Sequence, residues 1–146
     1  MPVQAADSLR LTRLIRADRK AVWNALTRPD QMRRWMCPAP NGVKSVTADV
    51  REGGAYDLVM VVEGKEHNAF GTYREIDEPS RIVFTWDWHP GEMQPMGDTV
   101  VTIELTEVEE GTELVLVHEG FPAPEATTGH EQGWDACLAH LEGVFA

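Results

Sequence analysis

From His130 to Phe145 the chain reads HEQGWDACLAHLEGVF, and this stretch decides the fold. Trp134, Cys137, Leu138, Leu141, Val144 and Phe145 recur at intervals of three and four, so they form one stripe of a helix spanning Thr128 to Ala146. Glu131, Asp135, His140 and Glu142 occupy the opposite face. An apolar stripe of this kind must be buried against another layer. Nearly all of the chain between Leu9 and Glu119 alternates as strand, so that layer is a curved antiparallel sheet. A helix lying in the mouth of such a sheet leaves room beside it for a ligand, and that geometry is the main functional lead.

Working backward from the helix, Leu114, Leu116 and His118 share one face of a strand that follows the hairpin turn Glu109-Glu110-Gly111. Val101, Ile103 and Leu105 face the same way on the strand before it. The segment from His89 to Gly97 holds two prolines, two glycines and two methionines and reads as an irregular loop. Ahead of it, Ile82, Phe84, Trp86 and Trp88 line one face of a strand. Earlier still, Tyr56, Leu58, Met60 and Val62 alternate, and the return strand runs through His67, Ala69 or Phe70, Tyr73 and Ile76. On the strand beginning at Val43, the set Lys44, Val46, Ala48 and Val50 is expected inward.

Upstream, Leu9 to Ile15 is a first strand, and Asp18 is placed to cap a helix ending near Leu26. Pro29 suits the first position of a second, shorter helix carrying Met32, Trp35 and Met36, since its missing N–H needs no partner there. The order is strand, two helices, six strands, helix, in an α+β meander with the first strand pairing at an edge. Residues 1–8 read as a loose leader and 9–146 as one domain.

With 146 residues the chain has enough length for a core and a small cavity. A formal net charge of -11 argues against a nucleic-acid partner. Two cysteines, Cys37 and Cys137, make no disulfide framework and are expected reduced and partly buried. No stretch has the length of a membrane span or the core of a secretory signal, so the expected location is cytoplasmic.

Several segments together carry a family resemblance: ADRKAVWNAL at Ala17–Leu26, MRRWMCP at Met32–Pro38, the Gly53-Gly54 turn, GTYREIDEPSRIVFTW at Gly71–Trp86, VVTIELTEVEEGTELVL at Val100–Leu116, HEGF at His118–Phe121, and Gly133-Trp134. In this order the chain resembles the activator-of-heat-shock-protein-ATPase-homologue-like domains of the START-like, birch-pollen-allergen-like (SRPBCC) superfamily. The resemblance implies a helix-grip fold: a curved sheet wrapped around the C-terminal helix, a cavity between them, and two short helices closing one end. It also implies a range of roles, from lipid, hormone and polyketide binding to cyclase chemistry and co-chaperone contact. Arg19 stands where many relatives have proline, and the last helix stops early, which is expected to widen one end of the cavity.

The candidate ligand-facing residues are Trp35, Tyr56, Met60, Phe70, Phe84, Trp86, Trp88 and Trp134, with Tyr73 among the same aromatics. Such rings either fill the core or line an apolar pocket with few polar anchors. The ligand-facing reading is strongest for Trp86, Trp88 and Trp134. His118 shares parity with Leu114 and Leu116 and is expected inward, partnered by Tyr56, His67, Glu104 or a ligand. His89, His118, His130, Cys137 and His140 match no recognised metal spacing, so neither metal nor cofactor is expected. Gly53-Gly54 is a turn rather than a phosphate cradle, and no serine elbow is present. Arg28, Arg33, Arg34 and Lys44 form a local positive group around Trp35 that is either solvated or receives a carboxylate or an acidic surface.

The leading expectation is a module that binds a small apolar or amphipathic ligand. A protein-interaction role towards a chaperone and a small cyclase, hydrolase or isomerase are the alternatives. Homodimer formation is a further expectation.

Overall fold

The computed structural model describes residues 7–146. The first six residues of the expected leader lie outside the described residues. The Asp7 carbonyl accepts from the backbone N–H groups of Gly120 and Phe121, at 3.0 and 3.2 Å, and Ser8 opens the first strand.

The elements are β1 (Ser8–Ile15), α1 (Arg19–Thr27), α2 (Pro29–Met32), β2 (Val43–Ala48), β3 (Ala55–Val62), β4 (Lys65–Asp77), β5 (Arg81–Trp88), β6 (Thr99–Val108), β7 (Gly111–Glu119) and α3 (Pro124–Val144). Asp18 caps α1 by accepting from the Ala21 N–H at 2.8 Å, and Pro29 sits in the first turn of α2. The seven strands form one antiparallel sheet in the order β1-β7-β6-β5-β4-β3-β2. Consecutive strands are neighbours from β2 to β7, and β1 closes onto β7, as the tight hairpins and the free first strand require.

The sheet curves around α3. Leu138 and Leu141 of α3 and Leu114, Leu116, Val101 and Ile103 of β7 and β6 are wholly or almost wholly buried. An ion pair between Arg13 of β1 and Asp135 ties the helix to the sheet edge. At the other end, the His140 ring nitrogen Nδ1 meets the Cys37 carbonyl at 3.0 Å, so this residue is half-buried rather than part of a solvated face.

Three local expectations are corrected. First, α3 begins at Pro124, a turn earlier than the periodicity indicates, because proline at the first helical position needs no N–H partner. Second, the register of β2 on β3 shifts between Val43 and Ser45. That bulge sends both Val43 and Val46 inward and turns Lys44 out to pair with Glu66. Third, the alternatives Ala69 and Phe70 resolve to Ala69, which is fully buried; Phe70 stands on the outer face, stacked on the His89 ring at 4.0 Å between centroids.

At Gly71 the backbone of β4 lies against Thr85 of β5. A Cβ there would lie 2.0 Å from the Thr85 carbonyl oxygen, so no larger residue fits without moving β5. Tyr56, its partner across β3, donates its hydroxyl to that same Thr85 oxygen at 2.5 Å. The Thr85 hydroxyl in turn accepts from the Thr72 N–H at 2.9 Å. Gly71→Ala is therefore expected to destabilise the fold by about 2–3 kcal/mol through overpacking and loss of the Tyr56 bond. Urea unfolding measures this, and an unchanged midpoint would show that β5 yields freely at this point.

Candidate functional site

Beside α3 the curvature of the sheet leaves a cavity of about 710 Å³. The sheet supplies Met60 and Val62 from β3, His67 from β4, and Trp86 and Trp88 from β5. The loop after β5 supplies Glu92, Met93, Gln94, Pro95 and Met96. Met36 and Pro38 close one side, and Glu125, Gly129, His130, Gly133, Trp134 and Cys137 of α3 form the opposite wall. Four methionines and three indoles stand in this lining, which suits adaptable apolar contact with few directional anchors.

The site residues expected from sequence divide into three groups. Met60, Trp86, Trp88 and Trp134 line this cavity. Tyr56, Phe84 and Trp35 are buried but stand outside its lining. Tyr56 packs against Tyr73 and Phe84, each at 5.6 Å, and passes the aromatic run on to Trp86 at 6.3 Å. The Trp35 indole N–H donates to the Ala25 carbonyl at 2.8 Å, locking the segment after α2 against α1. Phe70, on the outer face, does not reach the cavity.

His118 is inward and completely buried, one layer behind the cavity wall. Its partners are Thr99 and Trp134, not Tyr56, His67 or Glu104. An indole nitrogen only donates, so the Trp134 N–H, 3.0 Å from Nδ1, fixes that ring nitrogen as the acceptor. Nε2 therefore carries the proton and donates to the Thr99 hydroxyl at 2.7 Å, whose own hydrogen goes to the Trp86 carbonyl. His130 shows the same logic reversed. The Trp88 N–H donates to its Nε2 at 3.0 Å, and Nδ1–H donates to the Ala126 carbonyl at 2.8 Å.

The two pairs thus cross between layers, with a helix tryptophan on a sheet histidine and a sheet tryptophan on a helix histidine. Burial holds both imidazoles neutral. It lowers the His118 pKa to about 2, with the neighbouring His130 adding to the effect. His130 is lowered mainly by burial, partly offset by the Ala126 carbonyl. Both cysteines are free thiols, and burial pushes each thiol pKa up, so neither is set up as a nucleophile. Among the described residues no three His, Cys, Asp or Glu side chains gather in a metal-holding group.

Sequence reasoning missed His130, Met36, Met93, Met96, Gly129 and Gly133 as lining residues. His130 lies four residues before Trp134 and seven before Cys137, so helical spacing already placed it on their stripe, although its polarity left it out of the apolar set. The methionines of the irregular loop carried no periodic signal.

A curved sheet gripping a long C-terminal helix beside an apolar hollow defines a helix-grip protein. Residues 16–146 match the family described as Activator of Hsp90 ATPase homolog 1-like protein, and the chain belongs to that family. Among solved structures, it is similar to a protein of Chromobacterium violaceum at 27% identity and TM-score 0.83, over 97% of this chain and 98% of the other. An AHSA1 protein of Silicibacter pomeroyi is 25% identical with a TM-score of 0.79, over 93% of this chain and 95% of the other. A Nitrosomonas europaea protein at 24% identity and TM-score 0.79, over 97% and 95%, shares the fold. No curated protein matches the chain by sequence. Among the described residues no helix is long and apolar enough to cross a membrane.

The histidine network sets a pH dependence. Above pH 6.5 His118 is neutral in both folded and unfolded chains. As the pH falls from there towards about 2, the unfolded chain binds a proton that the folded chain refuses, so stability declines. The expected slope is about 1.4 kcal/mol per pH unit from His118, with His130 adding to it. Thermal or urea unfolding between pH 6.5 and 5, where few carboxylates titrate, reads this slope. His118→Gln should flatten it, and an identical slope in that variant would show that His118 binds protons alike in the folded and unfolded chains.

Proposed function

We propose that this protein holds a small, largely apolar molecule between its sheet and α3. The observation that carries the reading is the cavity of about 710 Å³ walled by Met60, Met93, Met96, Trp86, Trp88 and Trp134. That volume lies inside the range of roughly 300–1,000 Å³ typical of ligand sites. Binding would draw its free energy from apolar area removed from water, at about 25 cal/mol per Å² before ordering costs.

The composition of α3 supports the same reading. Gly129 and Gly133 are four residues apart on its cavity face, and a Cβ at either would meet nothing within 4 Å. Glycine inside a helix costs about 1 kcal/mol relative to alanine. Packing does not demand these glycines, and what they preserve is the width of the cavity.

Gly133→Leu is a direct test, because the added side chain enters the cavity while removing a helix-weakening residue. The variant should fold at least as stably as the parent and lose most of its affinity for an apolar fluorescent probe such as anilinonaphthalene sulfonamide. Fluorescence titration of both proteins reads the affinity and urea unfolding reads the stability. If the parent takes up no apolar probe, and native mass spectrometry of protein purified from its own cells finds no copurifying molecule, the cavity is not the working part of the protein.

A further inference from the structure

The cavity wall contains one polar group with no use in the fold. Trp86 is 4% exposed and its ring lines the cavity, yet its indole N–H is the one buried side-chain nitrogen or oxygen without a hydrogen-bond partner among the described residues. Its neighbours are rings: Trp88 at 5.5 Å, perpendicular to it, Trp134 at 5.0 Å, Tyr56 at 6.3 Å and His118 at 6.2 Å. Neither imidazole nitrogen of His118 is free to accept, since Nδ1 takes the Trp134 proton and Nε2 donates to Thr99. Ring faces are weak acceptors. The other two cavity indoles are satisfied by His118 and His130, so the unpaired donor is particular to Trp86. Leaving such a group buried and unpaired is destabilising, and native proteins seldom retain one without a reason.

The charges around the cavity narrow what can answer this donor. No lysine or arginine is among its lining residues, and the two ionisable acids there, Glu92 and Glu125, are both carboxylates. Of the two histidines in the lining, His130 has both ring nitrogens committed. Glu92 of the lining is paired with Lys65 at 3.6 Å. A carboxylate or phosphate ligand would therefore lose its hydration with no lysine or arginine in the lining to replace it, and with the Glu125 carboxylate nearby.

Resting on the reading of the cavity as a ligand site, we propose that its ligand class is an uncharged, mostly apolar molecule bearing a hydrogen-bond acceptor, such as a ketone, ester or lactone oxygen, that is taken by the Trp86 indole N–H. The nitrogen has no accessible surface while the ring lines the cavity, so an acceptor held in the cavity meets it only as the ring shifts. Fatty-acid-like anions are excluded from this class.

Three probes of nearly equal shape test the proposal: 2-acetylnaphthalene, which carries the acceptor; 2-isopropenylnaphthalene, in which carbon replaces that oxygen; and 2-naphthoate, the anion. Calorimetric titration gives the affinities, and the indole signals in nitrogen-15 correlation spectra, with Trp86 assigned through Trp86→Phe, locate the contact. The expected result is a ketone bound about 10-fold tighter than the alkene and than the naphthoate, with the Trp86 indole proton moving downfield for the ketone alone. The preference over the alkene should vanish in Trp86→Phe. Equal affinity for ketone and alkene with no movement of that proton would overturn the proposal while leaving the cavity reading intact, as would naphthoate binding tightest. If none of the three binds, this proposal falls, and the cavity reading falls with it when native mass spectrometry also finds no copurifying molecule. Should Trp86→Phe not fold, the spectrum and the affinity ratio of the unaltered protein still decide, with the Trp86 signal assigned through its contacts to Trp88 and Trp134.

Discussion

The neutral imidazole of His118 is the point on which the site depends. It receives the Trp134 proton on one nitrogen and gives its own to Thr99 on the other, and Thr99 passes a bond to the Trp86 carbonyl. One side chain thereby connects β5, β6, β7 and α3, and through Trp86 and Trp134 it holds two of the cavity's walls in place. The geometry fixes its tautomer, because an indole can only donate and Thr99 is already committed as a donor elsewhere. A protonated ring could not accept from Trp134, and burial opposes the charge as well.

This arrangement explains why the cavity coexists with an otherwise closely packed fold. Directional bonds hold Trp134 and Trp88 at fixed angles, through His118 and His130, so the indoles stand as walls instead of collapsing across the space between sheet and helix. Gly129 and Gly133 keep the facing surface of α3 low. On the sheet side, Gly71 lets β5 approach β4, and Tyr56 anchors the Thr85 carbonyl just ahead of Trp86. The aromatic residues away from the cavity, Tyr56, Tyr73 and Phe84, form the packed continuation of the same run and support Trp86 from behind.

How much of this was legible in the sequence depends on the range of the signal. The inward face of β7 was readable because Leu114, Leu116 and His118 alternate within one strand, and the stripe of α3 because its spacing is local. The partners of His118 were not readable. Thr99 is 19 residues away and Trp134 is 16, and their meeting depends on the register of β6 on β7 and on where α3 crosses. The inward placement of Lys44 failed for a related reason, since a bulge changes parity and leaves no mark in the alternation itself. Phe70 and Ala69 were indistinguishable as inward candidates until the pairing with β5 set their faces.

Periodicity, turn residues and the capping positions of Asp18 and Pro29 thus determined the α+β order, the antiparallel meander and the apolar side of each element, because those are properties of neighbouring residues. Tertiary structure alone decided which of the buried aromatics border empty space and which fill the core. It also decided which buried side-chain polar groups are satisfied and which one among the described residues, the Trp86 N–H, is left without a partner. A side chain's wall is defined by residues that the chain brings together from far apart, and local pattern carries no information about the distance between two packed layers.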